Sequence, residues 1–427
     1  MNTLSLAAAL LLPALCVASS PEAEAWIDHE RLPGTQSQAM GGAMVALAED
    51  WSAAWYNPAG LALLKRTEFN LGFEGGSADE RRSVSSDGRE QGVETSTSSL
   101  SHAGYAHPLP ALRGGLCWAV GWARLADFAQ GSAFPDGNWR VTQTGAGTAG
   151  AWLLALGGQL TTNLAGGATL ALHSQRQERL DQEENLGDGT FWRSVDTADL
   201  DGVSLRLGLL AHQGPLRVGL LLEPAHSLNV DWSHYEQEGD LGADPAPVNR
   251  WGSNYGLRMP ALASVGAGWR TRFWQAGLNW DWQDWAALRY EDLPAGMELV
   301  LSDQRLSQAF QSRSRLRIGG EWTVPGTDLR LRAGAWRESP ARSAARLTDY
   351  DDTDTAYQYW DYQDTGPRQG LAGGISWLLQ EVVALDISAA RETWSRRWLE
   401  FAQGAQESVI RQRMTHWRFQ LAMTYRI

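Results

Sequence analysis

The sequence has few cysteines, a single lysine and no long apolar run outside its N-terminus. With only two cysteines among 427 residues, a disulfide-rich scaffold is excluded. A bundle of membrane helices would need repeated apolar runs of about 20 residues, and the chain does not contain them. The formal net charge of −13, without a segment rich in Lys and Arg, indicates that the protein does not bind nucleic acid.

Motifs of catalysis are also missing. The sequence contains no G-x-S-x-G, H-E-x-x-H, P-loop or C-x-x-C pattern, and its eight histidines are scattered. It therefore predicts no catalytic residue, no metal site and no cofactor, and we expect the protein not to be an enzyme. Glycine and tryptophan are frequent instead, with 45 and 22 residues.

The N-terminus resembles a secretory signal. An apolar run at residues 4–17 is followed by small residues, which predicts a signal peptide over residues 1–25 with cleavage between residues 18 and 25. The alternative is an N-terminal anchor helix, although such a run is short for crossing a bilayer, which takes about 20 residues. After cleavage Cys117 is the only cysteine, so no intramolecular disulfide can form.

From residue 68 onward, apolar and polar residues alternate, as is typical of strands with two different faces. In the final strand one face carries Trp417, Phe419, Leu421, Met423, Tyr425 and Ile427. The alternation predicts fourteen strands, at residues 67–75, 98–107, 114–124, 147–158, 164–178, 199–212, 214–223, 261–270, 272–283, 313–324, 328–338, 367–379, 382–395 and 412–427.

The links between these strands alternate in length. Every second link is short, as at residues 213–214 and 325–327, whereas the others are long and polar, at residues 76–97, 236–254 and 339–366. An even number of antiparallel strands with this asymmetry predicts an all-β transmembrane barrel of the bacterial outer membrane. Hydrocarbon forces every backbone N–H and C=O to pair internally, which strands achieve only in a closed barrel. A soluble propeller or β-sandwich is the alternative.

The charged and aromatic residues follow the same two faces. Charged side chains fall on the polar face, because each would cost up to about 2–4 kcal/mol at mid-depth in lipid. Ten tryptophans fall on the apolar face and predict interfacial girdles: Trp118, Trp122, Trp152, Trp269, Trp274, Trp280, Trp282, Trp322, Trp377 and Trp417. Trp139, Trp336 and Trp360 do not, and they are candidates for stacking on an aromatic ligand or for ordinary packing.

Residues 26–66, here called the hatch segment, precede the barrel at residues 67–427. Met44, Leu47, Ala48 and Trp51 recur at helical spacing, and Pro58 predicts the end of a helix. The segment is similar to the N-terminal hatch of the FadL-type outer-membrane transporters, their aromatic-hydrocarbon relatives and the PorV-like proteins. The matching residues are Gly41, Gly42, Ala43, Ala46, Asp50, Ala53, Asn57, Pro58, Ala59, Gly60 and Leu61. Weaker matches follow at residues 259–269, 278–281, 317–322 and 331–335.

This resemblance implies a fourteen-stranded barrel plugged by the hatch. It also implies passive uptake of hydrophobic compounds, long-chain fatty acids or hydrocarbons, with sideways exit through a gap in the wall. The expected hatch or gating residues are Gly41, Gly42, Asp50, Asn57, Pro58, Ala59 and Gly60, although residues 57–60 are also explained as a turn between helix and strand. The expected surroundings are outer-membrane lipid and a hydrophobic ligand, with both termini in the periplasm.

Two alternatives to uptake stay open. A PorV-like role in secretion, with a protein partner, is suggested by the amino-acid sequence of the hatch motif. A general porin for polar solutes follows only from the charged lumen.

Arginines on the polar face are candidates for binding a ligand carboxylate, because Arg binds carboxylates in a bidentate manner. Pairing with Glu321 and Asp281 inside the lumen is the simpler interpretation, and we favour it. The candidate lumen residues are Arg206, Arg315, Arg317, Glu321, Arg330, Arg332 and Asp281, with Arg313 beside them.

Two further patterns carry little weight. The loop 349–364 holds six Asp, which suits Ca²⁺, but it lacks EF-hand spacing and is expected to be a solvated acidic loop. A lipase built on a barrel would need Ser and His on adjacent strands, and His173 and Ser204 come nearest to that arrangement by parity.

Overall fold

The structure is a computed structural model, and it describes residues 27, 30–84, 90–110, 114–136, 139–240, 249–294, 303–343, 346–350, 356–360, 363–401 and 407–427. The predicted signal at residues 1–25 lies outside these residues, as do positions 351–355 and 361–362 of the acidic loop and the side chains of Trp139 and Trp360.

Within the described residues, fourteen antiparallel strands form a closed barrel, as predicted. Each strand pairs with the next along the chain, and the first pairs with the last, from Glu68 opposite Arg426 to Val84 opposite Ile410. The barrel strands are β1 Glu68–Val84, β2 Glu90–Leu109, β3 Leu116–Asp127, β5 Trp139–Thr161, β6 Leu164–Asn185, β7 Thr190–Gln213, β8 Leu216–Glu223, β11 Leu262–Arg270, β12 Trp274–Asp284, β14 Ser312–Thr323, β15 Leu329–Glu338, β19 Arg368–Leu379, β20 Val383–Phe401 and β21 Glu407–Arg426.

Further strands and helices continue or cover the barrel strands. The strands are β4 Gln130–Asp136, β9 His226–Asp240, β10 Asn249–Met259, β13 Arg289–Glu291, β16 Arg346–Tyr350, β17 Ala356–Trp360 and β18 Gln363–Asp364. The helices are α1 Thr35–Ala39, α2 Ala53–Tyr56 and α3 Asp303–Ala309, with 3₁₀ helices η1 Pro58–Leu63 and η2 Trp285–Ala287. A break at residues 224–225 separates β8 from β9, and one at residues 260–261 separates β10 from β11. Pro224 and Pro260 lack the N–H that a ladder needs.

The predicted faces of the strands are confirmed. Leu205, Leu278, Ile318 and Leu421 are exposed on the outer surface, and they belong to a belt that runs around the barrel. Eight of the ten predicted girdle tryptophans are exposed, whereas Trp122 and Trp322 are half-buried. Among the described residues, no helix combines the length and apolarity needed to cross a bilayer.

The loops predicted to be long are shorter in the structure, because the strands beside them extend further than predicted. Residues 76–84 continue β1, and residues 90–97 already belong to β2. Residues 236–240 and 249–254 are likewise strand. Both faces of these extensions carry polar residues, so the alternation of apolar and polar residues does not reveal them. Only the backbone hydrogen bonds between neighbouring strands identify them as strand.

The hatch segment packs against the inner faces of the strands. Met40, Met44, Leu47 and Trp51 are all buried, but the predicted helix through Met44 and Trp51 is wrong. Helix occurs at α1 and α2, and residues 40–52 form successive turns. Their helical spacing reflects burial on all sides inside the lumen, which does not require a helix.

Candidate functional site

Asn57 ties the hatch segment to the wall of the barrel. Its Nδ2 donates to the Val45 carbonyl at 2.7 Å and to the Leu209 carbonyl of β7 at 3.0 Å. Its Oδ1 accepts from the Ala59 N–H at 3.2 Å and caps η1. Helix α2 ends at Tyr56, directly before the Asn57-Pro58 pair, as predicted. The side chain therefore joins two turns of the hatch and one barrel strand.

Glycines permit the closest approaches between hatch and wall. Gly41 and Gly42 have φ of 62° and 79°, a left-handed conformation that glycine adopts without strain. A Cβ at Gly42 would lie 2.5 Å from Nη1 of Arg317, and one at Gly60 would overlap the Ala48 carbonyl oxygen. The three predicted glycines are thus positions where a side chain would not fit.

The remaining predicted hatch residues lie deep in the barrel. Pro58 and Ala59 are buried, and their backbone lies so close to Gly167 of β6 that a Cβ there would overlap it. Asp50 accepts hydrogen bonds from the N–H and hydroxyl of Ser52 and so holds the turn before α2. The structure places the predicted hatch residues at the contact between hatch and wall.

A cavity of about 110 Å³ lies between the hatch and the ends of the strands that lead to the long links. The hatch supplies Leu32, Val45 and Trp55, and the wall supplies Leu221 and Met259 as apolar lining. Charged wall residues complete it, including Arg206, Arg313, Arg315, Arg317, Asp281 and Glu223. The cavity is therefore apolar on one side and charged on the other.

The arginines at this cavity are held by carboxylates. Arg315 Nη1 donates to Glu30 at 2.9 Å, and Arg313 lies 3.3 Å from the same carboxylate. Arg317 pairs with Asp281 at 3.2 Å. Glu338 pairs with both Arg313 and Arg315. Three guanidinium groups thus meet three carboxylates, of which Asp281 is an expected partner and Glu30 and Glu338 are not.

Other predicted lumen residues form separate groups. Arg332 pairs with Glu321 at 2.6 Å and also with Asp386. Arg330 is half-buried and lines a small polar space beside Arg332 and Asp50, away from the main cavity. Glu321 and Arg330 therefore do not join Arg315 and Arg317 in one site.

The wall is interrupted between β2 and β3. β3 pairs with β2 only from Leu116 to Ala123, and in the described part of the chain no ladder continues beyond that point. The end of β3 turns inward instead, where the Leu125 carbonyl accepts from the Arg31 N–H at 2.6 Å. The Arg124 side chain crosses the break and donates to the Leu100 carbonyl at 3.1 Å. Leu125 also lines the cavity, so the break lies beside it.

An apolar cluster lies beyond the cavity, on the side of the long links. Leu306 and Phe310, in and after α3, are buried with Trp285, Leu288 and Leu257. Sequence reasoning missed this cluster because α3 is short. The run from Leu306 to Phe310, with Ala309 between, was its only local signal.

Sequence reasoning also missed a group of polar residues in the wall of the cavity. His173 of β6, Glu223 of β8 and His226 of β9 have ligand atoms within 4.8 Å of one another. Nε2 of His173 lies 2.9 Å from Oγ of Ser204, the pair singled out by parity. The break at residues 224–225 brings Glu223 and His226 to one side of the strand, which alternation alone does not predict.

Trp336 and His234 each have carboxylate partners within the protein. Trp336 is buried, and its indole N–H donates to Glu392 at 3.0 Å, so it packs in the wall. His234, on the extension of β9, lies 2.8 Å from Asp196 and 3.3 Å from Glu236. Burial opposes its charged form, but the hydrogen bonds to these two carboxylates outweigh burial and raise the pKa of His234.

Solved structures with a similar architecture include two toluene transporters and a FadL homologue. The toluene transporter TodX of Pseudomonas putida has a TM-score of 0.66 and 14% identity, over 94% of this chain and 99% of that chain. A FadL homologue of Pseudomonas aeruginosa has a TM-score of 0.64 and 14% identity, over 93% and 99%. The toluene transporter TbuX of Ralstonia pickettii has a TM-score of 0.57 and 14% identity, over 94% and 100%.

No protein-family model and no curated protein sequence matches the chain. The likeness therefore concerns three-dimensional structure at low sequence identity. It confirms, at the level of the fold, the resemblance that the N-terminal motif indicates. The chain has the fold of the FadL-type barrels and aromatic-hydrocarbon channels.

Proposed function

We propose that the protein is an outer-membrane channel for passive uptake of hydrophobic compounds, with both termini in the periplasm, and that it is not an enzyme. The observation that carries the proposal is the combination of a lumen occupied by the hatch segment with a wall that is interrupted beside the cavity. The exposed apolar belt supports a position in a bilayer. Structures of like fold are described as toluene transporters and as a monoaromatic hydrocarbon channel, which supports the same function.

The cavity favours small hydrophobic substrates over long chains. Its volume is about 110 Å³, whereas an engineered apolar cavity of about 150 Å³ holds benzene. Since the cavity is smaller than one that holds benzene, a long acyl chain does not fit in it, and a one-ring compound needs a small expansion of the cavity; we therefore propose one-ring compounds as the substrate class. In this proposal the ring rests against Leu221, Met259 and Trp55, and the paired arginines shape the opposite side.

The break between β2 and β3 is the proposed exit. A hydrophobic solute gains little from leaving into water, because apolar surface is better accommodated in lipid. Leu125 connects the cavity to the break, and the Arg124 side chain closes it. A role in secretion stays a prediction, because no contact among the described residues tests it.

Uptake by intact cells tests the proposal. We expect cells of a Gram-negative host without its own hydrophobic-compound channels to accumulate labelled toluene faster when they express the chain, and labelled glucose at an unchanged rate. Equal toluene uptake with and without the chain would refute the proposal, and faster glucose entry would support a general porin. Oleate in a parallel assay separates ring compounds from long-chain fatty acids.

A double variant, Thr95→Cys with Gly131→Cys, tests the exit itself. A Cβ at Gly131 would lie 3.6 Å from Oγ1 of Thr95, so a disulfide can join β2 to β4 beside the break. Oxidation should slow toluene uptake and a reductant should restore it, with each single-cysteine variant as the control. Unchanged uptake in the cross-linked protein would contradict a sideways exit.

A further inference from the structure

We propose that His173, Glu223 and His226 form a binding site for a divalent transition-metal ion of the zinc type in the wall of the cavity. The ligand atoms of the three residues lie within 4.8 Å of one another. His173 lies on β6, and Glu223 and His226 lie across β7, on the consecutive strands β8 and β9. Two imidazoles and one carboxylate are a donor set that zinc accepts, with a fourth position left for water or another ligand.

The second ring nitrogen of each histidine is placed as in known metal sites. A metal-bound histidine usually donates its other N–H to a carboxylate, a backbone carbonyl or a similar acceptor. Nε2 of His173 lies 2.9 Å from Oγ of Ser204, and in one of its two tautomers it donates a hydrogen bond to that oxygen. That arrangement leaves the lone pair of the neutral imidazole on Nδ1.

His226 follows the same rule. Its Nδ1 lies 3.3 Å from the Pro224 carbonyl oxygen, which can only accept a hydrogen bond. The tautomer with the proton on Nδ1 leaves the lone pair on Nε2. The sequence Glu-Pro-Ala-His therefore supplies a carboxylate ligand, a bonding carbonyl and an imidazole ligand from one strand break.

Glu223 divides its two oxygens between different partners. Oε2 lies 3.3 Å from the Arg206 guanidinium, whereas Oε1 faces Nδ1 of His226 at 3.9 Å. Arg206 itself stacks on the Trp55 ring, with 3.7 Å between the guanidinium carbon and the ring centroid. The carboxylate is thus oriented by a residue that the hatch segment holds in place.

The site faces the cavity, and its side chains must move closer together to bind an ion. His173 and Glu223 are buried and His226 is half-buried, and all three line the cavity. Zinc bound at about 2.0–2.2 Å brings its ligand atoms to about 3.3–3.6 Å from one another. The two imidazole rings now stack, with 5.5 Å between their centroids and 11° between their planes, so His226 must turn its Nε2 toward Glu223 and His173 for all three residues to bind one ion.

Metal binding by the intact barrel in detergent tests the proposal, with mature protein that carries no histidine tag and has been treated with a chelator. We expect calorimetry with Zn²⁺ to show one equivalent bound per chain. Co²⁺ should give the intense visible absorption of a four-coordinate site. His173→Gln, Glu223→Gln and His226→Gln should each weaken Zn²⁺ binding at least about tenfold, and Ser204→Ala about tenfold.

His234→Gln is the matched control, because His234 also lies beside two carboxylates but outside the cavity. It should bind Zn²⁺ like the unchanged protein. Heat-dependent migration in detergent gels establishes that each variant is folded. Absence of stoichiometric Zn²⁺ binding, or equal binding by folded His226→Gln protein, would overturn the proposal, and neither result depends on substrate uptake.

Discussion

Asn57 shows how much one side chain contributes to the hatch. It is almost fully buried and satisfies three backbone groups, those of Val45, Ala59 and Leu209. A buried polar group that loses its partner costs about 1–3 kcal/mol. Its place before Pro58 was predictable, because the motif marks a turn, but its bond to β7 depends on a strand about 150 residues further along the chain.

Replacement of Asn57 should destabilise the hatch locally without unfolding the barrel. We expect Asn57→Ala to lower the free energy of local hatch opening by about 2–4 kcal/mol, since two carbonyls and one N–H lose their partner. Hydrogen exchange of the amides in residues 40–60 measures this. Asn229→Ala, which removes an exposed bond to Asp201, is the control and should leave exchange unchanged. Equal protection in both variants would show that Asn57 does not hold the hatch.

At the scale of elements, the strands were more predictable than the hatch. Alternation within β12 and β21 reports the boundary between lipid and lumen, which is a local property of the sequence. The polar extensions of β1 and β2 have no such boundary and escaped prediction. Met44 and Trp51 are buried by surrounding strands, so their spacing indicated burial but not helix. His173 and Glu223 meet only through the pairing of β6, β7 and β8, which no local pattern shows.

Strand β14 offers two adjacent glycines that separate the effect of the hatch from the effect of the strand. Gly319 faces the hatch, and a Cβ there would overlap the Met40 carbonyl oxygen. Gly320 faces outward, and its Cβ would lie at an ordinary 3.5 Å from the Gln275 carbonyl oxygen. The two positions share one strand and differ in what lies opposite.

Gly319→Ala should therefore destabilise the protein, whereas Gly320→Ala should not. Overpacking costs about 1–3 kcal/mol, and replacing a strand glycine without a clash is neutral or slightly stabilising. We expect a lower melting temperature and faster hydrogen exchange in residues 36–44 for Gly319→Ala alone. Similar behaviour of the two variants would mean that the contact at Met40 is not tight.

At the scale of the whole molecule, the hatch and the paired charges fill the lumen together. Arg217 and Arg270 bind Glu49 of the hatch, and Glu68 accepts the Trp51 N–H at 2.6 Å. A barrel of fourteen strands leaves an open channel when nothing occupies its interior. The described lumen is occupied, which distinguishes it from an open porin.

Electrical recording measures this difference. We expect the unchanged protein in a planar lipid bilayer to show no large steady current, because the hatch blocks the path of hydrated ions. A variant that lacks residues 30–64 should conduct steadily. A large steady current through the unchanged protein would contradict the plugged lumen and favour the porin alternative.

The seam between β1 and β21 has a consequence for how the molecule is assembled. It joins residues that lie as far apart as Glu68 and Arg426, and the entropy of closing a loop grows with the number of residues it contains. Pairing between neighbouring strands in the chain closes much shorter loops. The hatch segment precedes β1 in the chain and is synthesised before the barrel strands. It is therefore already present when β1 pairs with β21, and closure of this seam encloses it in the barrel.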